Sequence, residues 1–152
     1  NPKPRTRGRK ALELKMDVEA LNALMRSEFS QVANDFIVQS VAPMEAVVRM
    51  PVAEEHLRPG GTISGPTMFA LADVSMYLVV LAMIGPVTLA VTTNCSIDFM
   101  RKPTAGVDLI ASARIHKLGR SLAVGDVLIH SEGMDAPVAR ASLTYAIPPR
   151  ST

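Results

Sequence analysis

This chain of 152 residues contains a single cysteine, which excludes an internal disulfide. Its histidines and cysteine are not spaced as metal ligands, so we expect no metal site and a reduced compartment. The first ten residues, NPKPRTRGRK, lack the apolar stretch that a signal peptide needs. The sequence therefore predicts a cytoplasmic protein.

Acidic residues are absent from the first ten positions, which hold five basic ones. Taking those five from the 16 basic residues leaves 11 against 14 acidic ones, a net charge of −3 for the rest. The basic character belongs to a short arm, residues 1–11, which we expect to be disordered because it has no apolar anchor. Such an arm suits contact with nucleic acid or an anionic surface, but a solvated terminus is the simpler interpretation, so we expect no nucleic-acid partner.

Charge is also nearly absent from residues 66–84, which contain only Asp73. This run is long enough to span a bilayer, but a carboxylate inside lipid is costly. The sequence that follows alternates as in a water-soluble sheet. We therefore expect a buried core helix and no membrane span, with Pro66 in the first turn and Gly85 after the end.

The remaining pattern predicts one further helix and a long sheet. Asp17 is placed to cap a helix over residues 18–29. Alternation at period two predicts strands at residues 44–52, 87–100, 107–116, 122–130 and 138–147. We expect the last four strands to form a meander that curls around the apolar helix. The predicted class is α+β, with one domain over residues 12–152.

The start of the apolar helix is the first candidate for chemistry. Free N–H groups at a helix N-terminus can polarise a carbonyl, and Pro66 has none, so Gly65 and Thr67 are the candidate donors. A partly desolvated carboxylate at Asp73 suits a general base or a nucleophile, although it would equally serve as a hydrogen-bond partner of nearby backbone. Asp73 lies about 12 Å along the axis from Gly65. One small reacting group therefore meets both only if two chains combine about a two-fold axis.

Three stretches resemble the PaaI-type acyl-CoA thioesterases of the hotdog-fold superfamily: EEHLRPGGTISGPTMFALADVS, AVTTNCSIDFMRKP and KLGRSLAVGDVLI. The resemblance covers most of residues 44–147, and its most specific part is the small-residue loop before Leu-Ala-Asp. It implies a hotdog fold, with a long antiparallel sheet wrapped around one central buried helix. It also implies dimers with a continuous sheet and active sites between subunits.

The resemblance further implies roles for individual residues. Asp73 activates water or attacks the thioester, Gly65 supplies the polarising N–H, and the hydroxyl of Thr92 helps to hold the water. The nucleotide of coenzyme A would dock at strand ends, on Arg101, Lys102, Arg120 and Ser121, although the three cations would equally be solvated charges of the turns. The buried helix also carries four candidates for lining an acyl tunnel, which would otherwise be plain core: Met68, Phe69, Met76 and Tyr77.

This chain departs from the family pattern at three positions. Ser64 replaces the usual histidine of the loop, Pro66 replaces its second glycine, and Arg58 replaces an upstream amide. Ser64 would cap the helix or donate to the thioester oxygen. Arg58 would polarise a carbonyl or bind a phosphate or carboxylate, but it cannot accept a hydrogen bond.

We therefore expect an acyl-CoA thioesterase that acts as a homodimer, with a dimer of dimers left open. It needs no cofactor beyond the coenzyme A of its substrate. One alternative is a hotdog protein that binds acyl-CoA or lipid without catalysis. A hydratase or dehydratase is disfavoured, because Ser64 stands where a catalytic histidine would be.

Overall fold

The computed structural model describes residues 13–52 and 63–149, together with the backbone of residues 57, 58 and 62. The predicted arm at residues 1–11 and the side chain of Arg58 lie outside the described residues. The helices are α1 (Val18–Glu28) and α2 (Gly65–Ile84). The strands are β1 (Ile37–Ala42), β2 (Glu45–Met50), β3 (Leu57–Arg58), β4 (Thr62–Ile63), β5 (Val91–Phe99), β6 (Leu109–Leu118), β7 (Leu122–Ser131) and β8 (Ala139–Ala146).

Six strands form one antiparallel sheet in the order β1-β2-β6-β7-β8-β5, and β3 pairs with β4 in a separate short hairpin. The predicted α+β arrangement, an antiparallel sheet against one central helix, is confirmed. The predicted four-strand meander is wrong in one respect, because β5 pairs with β8 rather than with β6. The chain crosses over β7 and β8 between β5 and β6, which leaves β5 as an edge strand of the sheet.

Strand β1 was not predicted from the sequence. Its register against β2 shifts between Val38 and Ser40, so Gln39 forms a bulge. A bulge breaks the alternation that marks a strand in the sequence. The side chain of Asn22 ties β1 to α1, because it donates to the Val38 carbonyl at 3.1 Å and accepts from the Val38 N–H at 2.9 Å.

Both helices begin as their sequences predict. Asp17 caps α1 by accepting the Ala20 N–H at 2.9 Å. Ser64 caps α2 by accepting the Thr67 N–H, and Pro66 stands in the first turn. Gly85 ends α2 at φ +96°, a conformation that glycine adopts without strain.

The sheet packs closely on α2 because its inward positions carry small residues. The inward faces of β6 and β8 present alanines, and Gly125 on β7 faces Met76 of α2. Every residue of α2 from Ser75 to Met83 is buried. The helix is long and apolar enough to cross a membrane, but 67% of its most apolar stretch is buried inside the protein, so it is a core helix.

A substitution at Gly125 tests this close packing of the sheet on α2. A Cβ at this position would lie 2.3 Å from the Arg114 carbonyl oxygen and 2.8 Å from Met76 Cε. We expect Gly125→Ala to lower the free energy of unfolding by about 1–3 kcal/mol, the usual cost of overpacking. Ser142→Ala, on the exposed face of β8, should change it by less than about 0.5 kcal/mol. Urea unfolding at one protein concentration compares them, and equal stabilities would contradict the close approach.

Candidate active site

Asp73 lies half-buried on α2, and two hydroxyl groups hold one of its carboxylate oxygens. Its Oδ1 accepts from Thr92 Oγ1 at 2.5 Å and from the Tyr145 hydroxyl at 2.6 Å. The Tyr145 hydroxyl also lies 2.9 Å from the backbone carbonyl oxygen of Asp73. The other carboxylate oxygen, Oδ2, has no hydrogen-bond partner among the described residues and is not sealed from solvent. It is therefore free to act on a ligand.

A β-bulge brings Thr92 to this position. In the sequence Thr92 falls on the polar face of its strand, which alternation alone places away from α2. The register between β5 and β8 shifts between Thr92 and Asn94, so Thr92 lies opposite Tyr145, whereas Cys95 lies opposite Leu143. The extra residue lets Thr92 and Cys95 share the inward face. The bulge thus turns the Thr92 hydroxyl inward, where it donates a hydrogen bond to the carboxylate.

Tyr145 was missed by the sequence analysis, although a signal was present. It falls at an inward position of the last strand, and a buried tyrosine hydroxyl needs a partner. Burial, and then the hydrogen bond to Asp73, raise the pKa of Tyr145 well above its ordinary value, so it stays protonated and donates. Burial and the charge of Asp73 likewise raise the pKa of Cys95, which makes this thiol a poor nucleophile.

A cavity of about 400 Å³ opens beside Asp73. Its polar groups include Asp73, Thr92 and Tyr145. The rest of the lining is mainly apolar and comes from α1, the turn after it, α2 and the entry to β5: Met25, Phe29, Val32, Val74, Tyr77, Thr88, Ala90 and Val91. The α1 wall was not predicted, because nothing in the sequence spacing of Met25, Phe29 or Val32 connects them to Asp73.

A second cavity, of about 460 Å³, lies at the start of α2. Gly65 lines it, and the N–H of Gly65 has no acceptor within the helix or among the other described residues. Phe99, Arg101 and Lys102 line the same cavity, which places two cationic side chains beside the helix N-terminus. The Ser64 hydroxyl is engaged in the cap, 2.9 Å from Thr67 Oγ1.

The four predicted tunnel residues separate in the structure. Tyr77 lines the cavity beside Asp73, where its hydroxyl donates to the Thr88 carbonyl at 3.2 Å. Met76 packs beneath Gly125 in the core, whereas Met68 lies at the Gly65 cavity. Phe69 is 39% exposed and lies beside Phe99 in a shallow hollow.

The predicted coenzyme A residues also fall into two sets. Arg101 and Lys102 lie at the start of α2. Arg120 instead lines a hollow together with Ile84, the last residue of α2. The Ser121 carbonyl next to Arg120 accepts from the Ile147 N–H at 2.8 Å. A helix of 20 residues is about 30 Å long, so one chain cannot gather both sets. Within residues 13–52 and 63–149, no three His, Cys, Asp or Glu side chains are placed to hold a metal ion.

The model of the thioesterase superfamily matches residues 60–138 of this chain. A candidate thioesterase from Silicibacter sp. TM1040 has a similar crystal structure, with 56% identity, a TM-score of 0.86, and coverage of 91% of this chain and 96% of that chain. A mutant of the phenylacetic acid degradation protein PaaI from Thermus thermophilus is 33% identical, with a TM-score of 0.68 over 80% of this chain and 100% of that chain. A candidate esterase from Pseudomonas aeruginosa is 28% identical over 131 residues, which is 86% of this chain and 96% of that protein. These similarities confirm the predicted hotdog fold.

The two tyrosines provide a matched test of the hydrogen bonds at Asp73. Tyr145 donates to a carboxylate, whereas Tyr77 donates to a neutral carbonyl. We expect Tyr145→Phe to cost about 1.5–3 kcal/mol of unfolding free energy and Tyr77→Phe about 0.5–1.5 kcal/mol, the usual ranges for charged and neutral partners. Urea unfolding at fixed protein concentration measures both.

Asp73→Asn serves as the control background for this comparison. There the acceptor of Tyr145 is neutral, so the cost of Tyr145→Phe should fall into the range of Tyr77→Phe. An unchanged cost in that background would show that the Tyr145 hydroxyl contributes through the backbone carbonyl of Asp73, 2.9 Å away, rather than through the carboxylate.

Proposed function

Because the chain belongs to the thioesterase superfamily, as its PaaI-type motifs predict, we propose that it hydrolyses acyl-CoA thioesters to a free acid and coenzyme A. The observation that carries this proposal is the Asp73 carboxylate, which lines a cavity and has Oδ1 held by two hydroxyls and Oδ2 without a partner among the described residues. The reaction needs water and no separate cofactor. We propose the cytoplasm as its location, because coenzyme A thioesters are available there.

The held carboxylate can act in two ways. As a general base, Oδ2 takes a proton from water while the water oxygen bonds to the thioester carbonyl carbon. The tetrahedral intermediate then breaks its C–S bond, and the proton passes to the departing sulfur. As a nucleophile, Oδ2 bonds to the carbonyl carbon and expels the thiolate, and water opens the resulting anhydride. In both routes Thr92 and Tyr145 orient the carboxylate, and an N–H donor stabilises the oxyanion.

One protomer leaves this site incomplete. A stripe of α2, formed by Pro66, Phe69, Ala70, Asp73 and Val74, is exposed or half-exposed although most of the helix is buried. The stripe adjoins β5, whose outer edge has unpaired backbone groups. Apolar residues near that edge are also exposed, including Val91 at 55% and Phe99 at 51%. We propose that a second copy covers this surface.

Antiparallel pairing of β5 with its twin would complete the site. If the two strands pair along their whole length, the two-fold axis passes near Cys95, and Val91 faces Phe99 of the partner subunit. The Phe99 ring lies beside Gly65, since a Cβ on Gly65 would be 3.2 Å from Phe99 Cζ. Val91 precedes Thr92, which holds Asp73. The pairing therefore moves the Gly65 N–H of one copy towards Asp73 of the other.

The same pairing would unite the coenzyme A residues that one chain keeps apart. Leu122 and Val91 both pair with Ala146, so Arg120 and Ser121 lie at the Val91 end of the sheet. Arg101 and Lys102 follow Phe99, and antiparallel pairing carries the partner's copies of them to that end. Four side chains suited to phosphate would then flank one site. Arg58 is proposed to bind the carbonyl or a phosphate there as well.

A non-catalytic acyl-CoA or lipid-binding protein is the second candidate. It is favoured by the start of α2, where Pro66 has no N–H and the Thr67 N–H is taken by Ser64 at 3.3 Å. Gly65 is then the one free backbone donor in the first turn of α2, and a site with a single donor stabilises an oxyanion less well.

Turnover of coenzyme A thioesters, followed by free-thiol release, separates the two candidates. We expect the wild-type protein to hydrolyse them and Asp73→Asn to lose about 10²–10⁴-fold in kcat, because the amide cannot accept the proton. Asp126→Asn, at an exposed carboxylate paired with His116, is the matched control and should keep its rate. Tight binding without turnover, unaltered by Asp73→Asn, would favour the binding protein.

A further inference from the structure

We propose that the cavity beside Asp73 is an acyl pocket with a closed end, which accepts chains of about eight to twelve carbons and excludes longer ones. Phe29 and Val32, from the end of α1 and the turn after it, form the closed end. This inference rests on the proposed function and adds to it the substrate class and the residues that determine specificity.

The lining of the cavity is arranged for a thioester with an apolar tail. The groups that would act on the carbonyl, Asp73, Thr92 and Tyr145, stand on the side of α2, β5 and β8. The α1 side contributes only apolar groups, Met25 and Phe29, and Val32 follows from the turn. An acyl chain that enters at Asp73 therefore runs towards α1.

The α1 wall is held in place by several contacts. The Phe29 ring meets the Tyr77 ring edge-on, with centroids 5.7 Å apart at 86°. Tyr77 is fixed in turn by its hydrogen bond to the Thr88 carbonyl at 3.2 Å. Val32 is positioned by a turn in which its N–H donates to the Phe29 carbonyl at 3.0 Å. Phe29 and Val32 are each 37% exposed, so these contacts rather than deep burial hold the wall in place.

The volume of the cavity sets the length of the chain. An apolar cavity of about 150 Å³ holds benzene, which corresponds to about 25 Å³ for each carbon. At that packing, 400 Å³ would hold about sixteen carbons if the acyl chain filled it completely. The thioester carbonyl and the attacking water occupy about 80 Å³ of it next to Asp73, which leaves room for at most about twelve carbons. A single aromatic ring would leave more than half of the space empty.

A series of coenzyme A thioesters from acetyl to palmitoyl, with phenylacetyl included, tests the pocket through kcat/KM. Each carbon that enters an apolar site should raise kcat/KM about threefold to fourfold, from the burial of one methylene group. We expect a maximum between octanoyl and dodecanoyl and at least a tenfold fall at palmitoyl. A maximum at palmitoyl, or at phenylacetyl, would overturn the proposal.

Two variants with opposite effects locate the end wall. Phe29→Ala removes the wall and should move the optimum two to four carbons longer, whereas Val32→Phe should move it two to four carbons shorter. Leu128→Ala, on the outer face of the sheet and 36% exposed, is the control and should leave the profile unchanged. If neither Phe29→Ala nor Val32→Phe moves the optimum, the end wall is not where we place it.

Calorimetric binding of non-hydrolysable alkyl coenzyme A thioethers of the same lengths separates this inference from the proposed function. Affinity that peaks at the same lengths and shifts with Phe29→Ala supports the pocket even if the wild-type protein shows no turnover, a result that would refute only the hydrolase. Affinity independent of chain length, together with normal turnover, would refute the pocket and leave the hydrolase standing.

Discussion

The hydrogen bonds from Thr92 and Tyr145 to Asp73 are the interaction on which this site depends. A carboxylate within an apolar helix loses hydration, and an unpaired one would destabilise the fold. Two hydroxyl donors to Oδ1 offset that loss and leave Oδ2 available. The three residues come from α2, β5 and β8, and Thr92 lies opposite Tyr145 on paired strands, so they meet Asp73 only when α2 packs on this strand pair. The site therefore forms only when the core forms.

The second constraint is the partly exposed apolar surface that a single chain leaves beside Asp73. Most of α2 is enclosed, yet the stripe that contains Asp73 remains partly exposed next to an unpaired strand edge. Exposed apolar surface and free backbone groups on one edge are what a second copy would cover. In the dimer that we propose, substrate binding and completion of the fold would involve the same surface, and Gly65 of one copy would approach Asp73 of the other although the two residues stand about 12 Å apart along one helix.

The sequence was sufficient where its patterns are strong. The caps at Asp17 and Ser64, the long apolar helix and the last three strands follow from local rules, and the motif around Asp73 predicted the family. Alternation could not predict what breaks it. The bulge at Gln39 hid β1, and the bulge at Thr93 turned Thr92 inward. The predicted strand order was wrong at β5, because its pairing with β8 rather than β6 depends on contacts between segments that are far apart in the sequence. The α1 wall of the cavity could not be predicted either, because its residues meet Asp73 through packing between segments far apart in the sequence.

Complementation between two inactive variants tests the central claim, that each site combines Asp73 of one chain with the helix start of another. Asp73→Asn removes the carboxylate. Gly65→Pro removes the N–H with a residue that suits the first helical turn, although its Cβ would need the Phe99 ring, 3.2 Å away, to shift slightly. A heterodimer of the two variants, purified with different affinity tags, would hold one site with both defects and one intact site. We expect this heterodimer to recover about half of the activity of a wild-type dimer. Activity no higher than that of the separate variants would place the whole site within one chain and contradict the account.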